Sequence, residues 1–208
     1  MQELQKVREF YDGYLDKLKT ENNRHKWVYN SIDKFIPRGK VLDIGCGTGI
    51  TSRHLAKGDR EVVAVDLSPK LIEYAEKMNS HFGRVKYVVG DICEFTWIEP
   101  FDSILMVDVL EHIGNKSLLD LFEVLKNVSH ETTRIYLNIP SGDILNWLWE
   151  NKPDTRQIID NPISTEDILK WFEIIGFVPA YFQLYWQQYV EYLFVTKESY
   201  NETMQGAF

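Results

Sequence analysis

The residues best suited to chemistry lie in one short segment, Val41–Gly49, which reads Val-Leu-Asp-Ile-Gly-Cys-Gly-Thr-Gly. Its glycines, Gly45, Gly47 and Gly49, permit positive φ angles and let a ligand approach the backbone closely. Their spacing is G-x-G-x-G, whereas loops that bind dinucleotides have G-x-G-x-x-G. Asp43 stands before the first glycine, where its carboxylate would repel a pyrophosphate and attract a cation. The segment therefore predicts a loop that binds a ligand with a cationic group.

Further acidic residues follow this loop at the ends of predicted strands. Asp66 ends the second strand, where an acid can accept hydrogen bonds from both ribose hydroxyls in adenosyl and dinucleotide enzymes alike. Asp91 follows the third strand, and the fourth strand leads into the segment Asp108–His112. A plain turn or strand-end role is the alternative for Asp66 and Asp91, and Asp102 is expected to be structural.

In order and spacing, these stretches resemble the motifs of class I S-adenosylmethionine (SAM)-dependent methyltransferases. The Leu110-Glu111-His112 ending is similar to that of the small-molecule branch, which includes the ubiquinone-type O-methyltransferases. The resemblance covers residues 24–197 and implies SAM as cofactor, with S-adenosylhomocysteine (SAH) as product. It implies that Asp91 binds the adenine amino group while Ile92 packs on the ring. The expected cofactor-binding residues are Tyr14, Arg24, Asp43, Gly45, Cys46, Gly47, Gly49, Asp66, Leu67, Asp91, Ile92 and Val107.

Two of these residues precede the glycine loop. An N-terminal helix often covers the cofactor in the family, so Tyr14 or Tyr11 is expected to act as a lid. Arg24 lies near a position at which ubiquinone-type enzymes carry an arginine that contacts the cofactor. Ordinary helix packing or a surface charge is the alternative for all three residues. Cys46 is interpreted as a small space-filling residue rather than a nucleophile.

The apolar pattern indicates the elements that position these residues. Residues 3–35 have helical periodicity with a polar break at 20–24, and short apolar strands then alternate with helices. Such alternation predicts a parallel sheet with helices on both faces. After a helix at 164–175, two strands follow with almost no linker and must form an antiparallel hairpin. The predicted strands are 41–44, 62–65, 85–89, 103–107, 134–139, 177–185 and 189–196.

The predicted fold is therefore α/β and Rossmann-like, with a seven-stranded, mostly parallel sheet and a C-terminal antiparallel hairpin. We expect residues 1–208 to form a single methyltransferase domain. Its expected parts are an N-terminal helical cap (1–36), a cofactor-binding core (37–140), an acceptor-side insertion or lid (141–163), a C-terminal helix and hairpin (164–197) and a tail (198–208).

His112 is the predicted catalytic base. Methyl transfer from a sulfonium is an in-line displacement, and a hydroxyl acceptor must also lose a proton. His112 follows the fourth strand, near the sheet edge at which ligands bind, and histidine has a suitable pKa. The alternative is that His112 only hydrogen-bonds the backbone at a helix start. Glu111 and Asp108 are weaker choices, since both fit solvated or structural acids.

The acceptor is predicted to be a small molecule, methylated on a hydroxyl or an amine. Aromatic residues are dense in the segment 141–150 and in the final hairpin, which suits an apolar or planar molecule. Core packing or a homodimer interface would explain the same residues. The polar, proline-containing segment 154–162 is expected to be a mobile lid.

Composition narrows the functional classes. The net charge of -8 makes a nucleic-acid polymer a poor default substrate. The sequence Asn-Ile-Pro-Ser superficially resembles a motif of adenine methyltransferases. That motif follows the fourth strand, whereas this sequence follows the fifth, so DNA is not an expected partner. The two cysteines lack disulfide or zinc spacing, and no signal peptide or membrane span is evident, which favours the cytoplasm. Nothing in the sequence requires a metal.

Three other functions stay open. A NAD(P)-dependent oxidoreductase is disfavoured by the glycine spacing, by Asp43 and by the lack of a Tyr-x-x-x-Lys pair. A non-catalytic SAM-binding partner protein would retain the same cofactor motifs. Methylation of a protein or a tRNA is the remaining alternative.

Overall fold

The structure is a computed structural model that describes residues 2–205. Its strands are β1 (Lys40–Ile44), β2 (Glu61–Asp66), β3 (Val85–Val89), β4 (Phe101–Val107), β5 (Ser129–Pro140), β6 (Phe177–Tyr185) and β7 (Tyr189–Thr196). Its helices are α1 (Gln2–Asp12), α2 (Leu15–Leu18), α3 (Asn23–Phe35), α4 (Ile50–Lys57), α5 (Pro69–Asn79), α6 (Leu118–Asn127), α7 (Gly142–Asn151), α8 (Thr165–Ile174) and α9 (Lys197–Gln205). No helix within these residues is long and apolar enough to cross a membrane.

All seven strands form one sheet in the order β3-β2-β1-β4-β5-β7-β6. The pairs among β1 to β5 are parallel, while β7 runs antiparallel to both of its neighbours, β5 and β6. The predicted fold class, including the C-terminal hairpin, is confirmed. The strand order reverses between β1 and β4, and such a switch point opens a ligand crevice at the carboxyl ends of the strands.

Helices cover both faces of the sheet because each presents one apolar stripe. On one face, Ile32 of α3 and Leu55 of α4 pack with Ile72 of α5 in a single core cluster. On the other face, Leu121 of α6 and Phe172 of α8 belong to a second cluster. Polar side chains begin the helices: Ser68 precedes Pro69 and caps α5, and Asn22, Ser141 and Ser164 cap α3, α7 and α8.

Most of the expected C-terminal tail, residues 198–208, is helical. Residues 197–205 form α9, and residues 206–208 lie outside the described part of the chain. The Thr196 hydroxyl accepts a hydrogen bond from the Ser199 N–H at 3.1 Å, as a helix-capping threonine does. That cap, followed by Glu198 in the first turn, is the sequence signal for this helix.

Candidate active site

One cavity of about 1180 Å³ runs along the carboxyl edge of the sheet. One end is lined by the glycine loop and the tips of β1 and β2, and the other by residues 107–117, α7 and Tyr189. The volume exceeds the roughly 300–1,000 Å³ of a typical small-ligand pocket. The cavity therefore has room for a cofactor and an acceptor side by side.

The glycine loop adopts the positive φ angles that its sequence predicts, with Gly45 at 66°, Gly47 at 54° and Gly49 at 75°. A Cβ atom at Gly45 would lie 2.3 Å from Cγ2 of Val109, and one at Gly49 would lie 2.5 Å from the Tyr87 hydroxyl oxygen. At Gly47 the nearest heavy atom would be 3.9 Å away. Gly45 and Gly49 are thus required by packing, whereas Gly47 leaves its side open for a ligand.

Asp43 is buried behind this loop, with 2% of its surface exposed. Its Oδ2 accepts a hydrogen bond from Ser52 Oγ at 2.6 Å. Burial, together with the nearby charge of Asp66, raises the pKa of Asp43 to about 7, against the lowering effect of the Ser52 hydrogen bond. No cation pairs with Asp43 in the described part of the chain. An arriving ammonium group would restore its charged form.

Asp66 and Asp91 stand at neighbouring strand tips and both line the cavity. Asp66 holds the loop in place, because Oδ2 accepts from the Gly47 N–H at 2.8 Å and Oδ1 from the Ser68 N–H at 2.9 Å. Burial raises the pKa of Asp66. Asp91 accepts from the Cys93 N–H at 2.9 Å. The remaining predicted cofactor residues around them, Leu67, Ile92, Cys46 and Val107, line the same cavity.

The N-terminal segment lies over the cofactor end of the cavity and is fastened at three points. Arg8 Nε donates to the Leu67 carbonyl at 3.2 Å, and the Ser68 hydroxyl donates to Asp12. The Thr48 hydroxyl donates to the Leu18 carbonyl at 2.7 Å. Between these contacts, Tyr14 and Tyr11 line the cavity. The arrangement matches the expected lid geometry, and the lid's contact with a cofactor stays a prediction.

His112 lines the acceptor end of the cavity and is held in one orientation. Its Nδ1 lies 2.7 Å from the Ile159 carbonyl oxygen, so Nδ1 carries the proton and donates it to that oxygen. Nε2 is then the acceptor nitrogen, with the Gln157 side-chain amide at 3.3 Å. Burial lowers the pKa of His112, which keeps the ring neutral near pH 7. The alternative interpretation, in which His112 hydrogen-bonds the backbone, is therefore met by Nδ1. This bond leaves Nε2 able to accept a proton.

The segment expected to be a lid is anchored to the same turn. The Asn161 N–H donates to the Glu111 carbonyl at 2.8 Å, and the Asn161 side chain donates to the Ile113 carbonyl at 2.9 Å. Together with the His112 contact, these bonds bring the buried Asp160 to 4.0 Å from His112 Nδ1. The sequence offered no signal for this approach, since only chain closure brings the two segments together.

Arg24 reaches the cavity but is engaged within the protein. Its guanidinium pairs with both carboxylate oxygens of Asp108, and Nη2 also donates to Asn138 Oδ1 at 2.6 Å. Nε donates to the Tyr185 hydroxyl at 3.3 Å, and the guanidinium lies 4.0 Å above the Tyr189 ring. Asp108 itself has a positive φ of 56°, unusual for a residue with a side chain. Contact between Arg24 and a cofactor stays a prediction.

The aromatic residues of the C-terminal half divide between cavity and core. Trp147 of α7 and Tyr189 of β7 line the cavity. Tyr185 stacks on Trp27 at a centroid distance of 4.5 Å, and Phe182 is exposed on the outer strand β6. Among residues 2–205, no group of three His, Cys, Asp or Glu residues is arranged to hold a metal ion.

Comparison with known proteins supports the motif assignment. Residues 41–131 match the protein family described as methyltransferase domain. The chain is 41% identical over 93 residues to the mitochondrial ubiquinone biosynthesis O-methyltransferase of Schizosaccharomyces pombe, a match covering 42% of this chain and 34% of that protein. It is 40% identical over 73 residues to the magnesium-protoporphyrin O-methyltransferase of Rhodobacter capsulatus, covering 34% of this chain and 32% of that protein. The matches thus span about a third of the length of these relatives.

Among solved structures, magnesium protoporphyrin IX methyltransferase from Synechocystis PCC 6803, with bound SAH, has a TM-score of 0.73 and 18% sequence identity. That match covers 94% of this chain and all of the other chain, so it extends the fold beyond the sequence matches. Residues 41–131 thus match a methyltransferase domain, and the seven-stranded fold of the described residues is similar to that of a SAM-dependent methyltransferase.

Proposed function

We propose that the protein transfers a methyl group from SAM to a small-molecule acceptor, on a hydroxyl or an amine, by in-line displacement. The observation that carries this proposal is a single cavity whose lining includes both the glycine loop with its acids and His112. The names of the curated relatives specify O-methylation, which supports an oxygen atom as the methyl acceptor.

The cofactor end offers a matching group for each part of SAM. The buried Asp43 would pair with the ammonium, because it lacks a cation partner and lies behind the loop. Asp66 would accept the ribose hydroxyls, Asp91 would bind the adenine amino group and Ile92 would pack on the ring. The open side of Gly47 would admit the ligand against the backbone.

At the acceptor end, the protein's tasks are to orient the acceptor, exclude water and remove a proton. SAM supplies an activated methyl group on sulfur, so the barrier is lowered chiefly by alignment. His112 Nε2, the acceptor nitrogen, would take the proton of a hydroxyl as its oxygen forms the bond to the methyl carbon. The carbon–sulfur bond breaks in that step, and its electron pair stays on sulfur.

Calorimetric titration with SAH, SAM and NAD tests the proposal. We expect micromolar binding of both adenosyl ligands, about -8 kcal/mol, and no heat with NAD. Asp66→Ala should abolish the adenosyl binding, while Asp102→Asn, outside the cavity, should leave it intact. Binding of NAD alone would favour an oxidoreductase, and SAH binding without methylation of any acceptor in small-molecule extracts would favour a non-catalytic role.

Other properties extend the same proposal. Cys46 and Cys93 are both free thiols, which supports a reducing compartment and hence a cytoplasmic location. The acidic net charge of -8 supports the expectation that DNA is not a substrate. A homodimer stays a prediction, which light scattering on the purified protein measures.

A further inference from the structure

Glu111 is a buried acid without a partner at the acceptor end of the cavity. Its exposed fraction is 1%, and neither carboxyl oxygen has a hydrogen-bond partner on another residue that the structure describes. Buried carboxyl groups are normally paired or hydrogen-bonded, because removing them from water is costly. Glu111 nevertheless belongs to the cavity lining, so a ligand can supply the missing partner.

A second unpartnered group lies beside it. The hydroxyl oxygen of Tyr11, on the N-terminal lid, is buried without a hydrogen-bond partner, and its ring centroid is 5.9 Å from that of His112. Glu111 Oε1 is 3.7 Å from His112 Nε2, too far for a hydrogen bond. Tyr11, Glu111 and His112 therefore lie close together, and the first two have unused hydrogen-bonding capacity.

We propose that Glu111 selects the acceptor by making the hydrogen bond that holds an uncharged hydroxyl group beside His112. This inference rests on the proposed function. Nε2 of His112 can only accept a hydrogen bond, because Nδ1 carries the proton. A hydroxyl that displaces the Gln157 amide, 3.3 Å from Nε2, can donate to Nε2 while accepting from a neighbouring O–H. Glu111, if it is protonated, supplies that O–H, and His112 supplies the acceptor nitrogen.

The surroundings of Glu111 favour the protonated form. Burial raises its pKa well above the ordinary value, and the charge of Asp108 raises it further. A hydrogen bond from its own backbone and the positive charge of Arg24 oppose this, but the guanidinium is already paired with Asp108. The titratable and charged groups that face Glu111 are Tyr11, Arg24, Asp108, His112, Asp160 and Tyr189.

A neutral Glu111 discriminates between acceptor classes. A carboxylate ligand beside Glu111 would be repelled by Asp108 and Asp160, whose charges already raise the pKa of Glu111. An ammonium group has no lone pair with which to accept the Glu111 proton. A hydroxyl satisfies both the donor on Glu111 and the acceptor on His112, so losing it leaves two buried groups unpaired.

Two substitutions separate this role from simple packing. Glu111→Gln keeps the shape, a donor and an acceptor, whereas Glu111→Leu removes both polar functions. In the free protein, the melting temperature of Glu111→Gln should exceed that of the wild type by more at high pH than at low pH. The reason is that unfolded Glu111 ionises near pH 4.3 while folded Glu111 stays neutral, so wild-type stability falls as pH rises. A Gln variant that is less stable than the wild type at high pH would show an ionised, well-paired Glu111 and overturn the proposal.

Ligand binding is then measured with probes of one size, namely phenol, toluene and benzylamine, by saturation-transfer NMR on SAH-saturated protein. We expect the wild type and Glu111→Gln to bind phenol at least about tenfold more tightly than toluene, and Glu111→Leu to lose this preference. Preference for benzylamine, or the same phenol-to-toluene ratio in all three proteins, would overturn the role of Glu111. Failure of SAH to bind would instead refute the proposed function, so the two failures are distinguishable.

Discussion

Cofactor affinity should depend on pH chiefly through Asp43. In the empty protein its pKa is raised to about 7, so it is largely protonated below that pH. Pairing with an ammonium requires the ionised form, and a protonated Asp43 must first lose its proton. SAH affinity is therefore present above about pH 7 and is lost as pH falls through this value.

The size of the effect follows from that pKa. With a value of about 7, about 9% of Asp43 is ionised at pH 6 and about 76% at pH 7.5. The ligand's amino group, with a free pKa of about 7.8, loses some of its own charge at the higher pH. The net expectation is binding weaker by roughly five- to tenfold at pH 6 than at pH 7.5.

Asp43→Asn keeps the shape and the acceptor for the Ser52 hydroxyl but cannot ionise. The variant should bind SAH more weakly at pH 7.5 by about 2–5 kcal/mol and show no pH slope. Without ligand, the variant should be more stable than the wild type at that pH, by up to about 4 kcal/mol. The reason is that its folded state no longer holds a carboxyl whose pKa is raised from 3.8 to about 7.

Calorimetry in buffers of different ionisation enthalpy measures both the affinity and the proton released on binding. Urea unfolding at the same pH values measures stability. Asp102→Asn is the matched control, because that acid contacts the Lys40 N–H at the opposite edge of the sheet. A wild-type affinity that is flat between pH 6 and pH 7.5, with unchanged binding in Asp43→Asn, would refute the pairing.

Three further changes test other parts of the site. His112→Ala should retain SAH affinity but slow methylation of a hydroxyl acceptor by about 10²–10⁴-fold, measured as initial SAH release; an unaltered rate would make His112 structural. Gly47→Arg should abolish SAH binding in calorimetry yet shift the melting temperature by only a few degrees, because its side chain would enter the cavity near Leu18. Arg24→Met should lower the free energy of unfolding by about 2–3 kcal/mol in urea titrations, since it leaves the partly exposed Asp108 without its partner; full stability would show that the pair contributes nothing.

Most of the sheet could be predicted because its strands are short, continuous apolar runs. The bounds of β3, β6 and β7 agree with the predicted ones, while β5 begins at Ser129 rather than 134. Its first residues, Ser129–Thr133, are polar and carry no strand pattern, and Phe101 pairs with Ser129 across a register shift. A local apolar signal therefore finds the buried centre of a strand but not an irregular, polar beginning.

The cofactor end of the site was predictable for the same reason. Each of its acids stands at the tip of a strand, and parallel strands bring their carboxyl ends to one edge. The acceptor end of the site was not predictable, because the residues that contact one another there are distant in sequence. Arg24 meets Asp108, and the segment around Asp160 meets the turn at Glu111, through contacts that no local pattern encodes. From sequence, Glu111 fits a solvated or a structural acid equally well, and the structure buries it.

Burial also changes how the acidic composition should be understood. The cavity contains several carboxyl groups, which from sequence alone suggest a strongly negative site. In the structure, the pKa values of Asp43 and Glu111 are both raised, chiefly by burial, so the empty cavity is much less charged than its residues imply. The two acids differ in their expected partners: an ammonium would ionise Asp43, whereas a hydroxyl would leave Glu111 neutral. One protein can thus use the same side-chain chemistry to hold a charged cofactor at one end and an uncharged acceptor at the other.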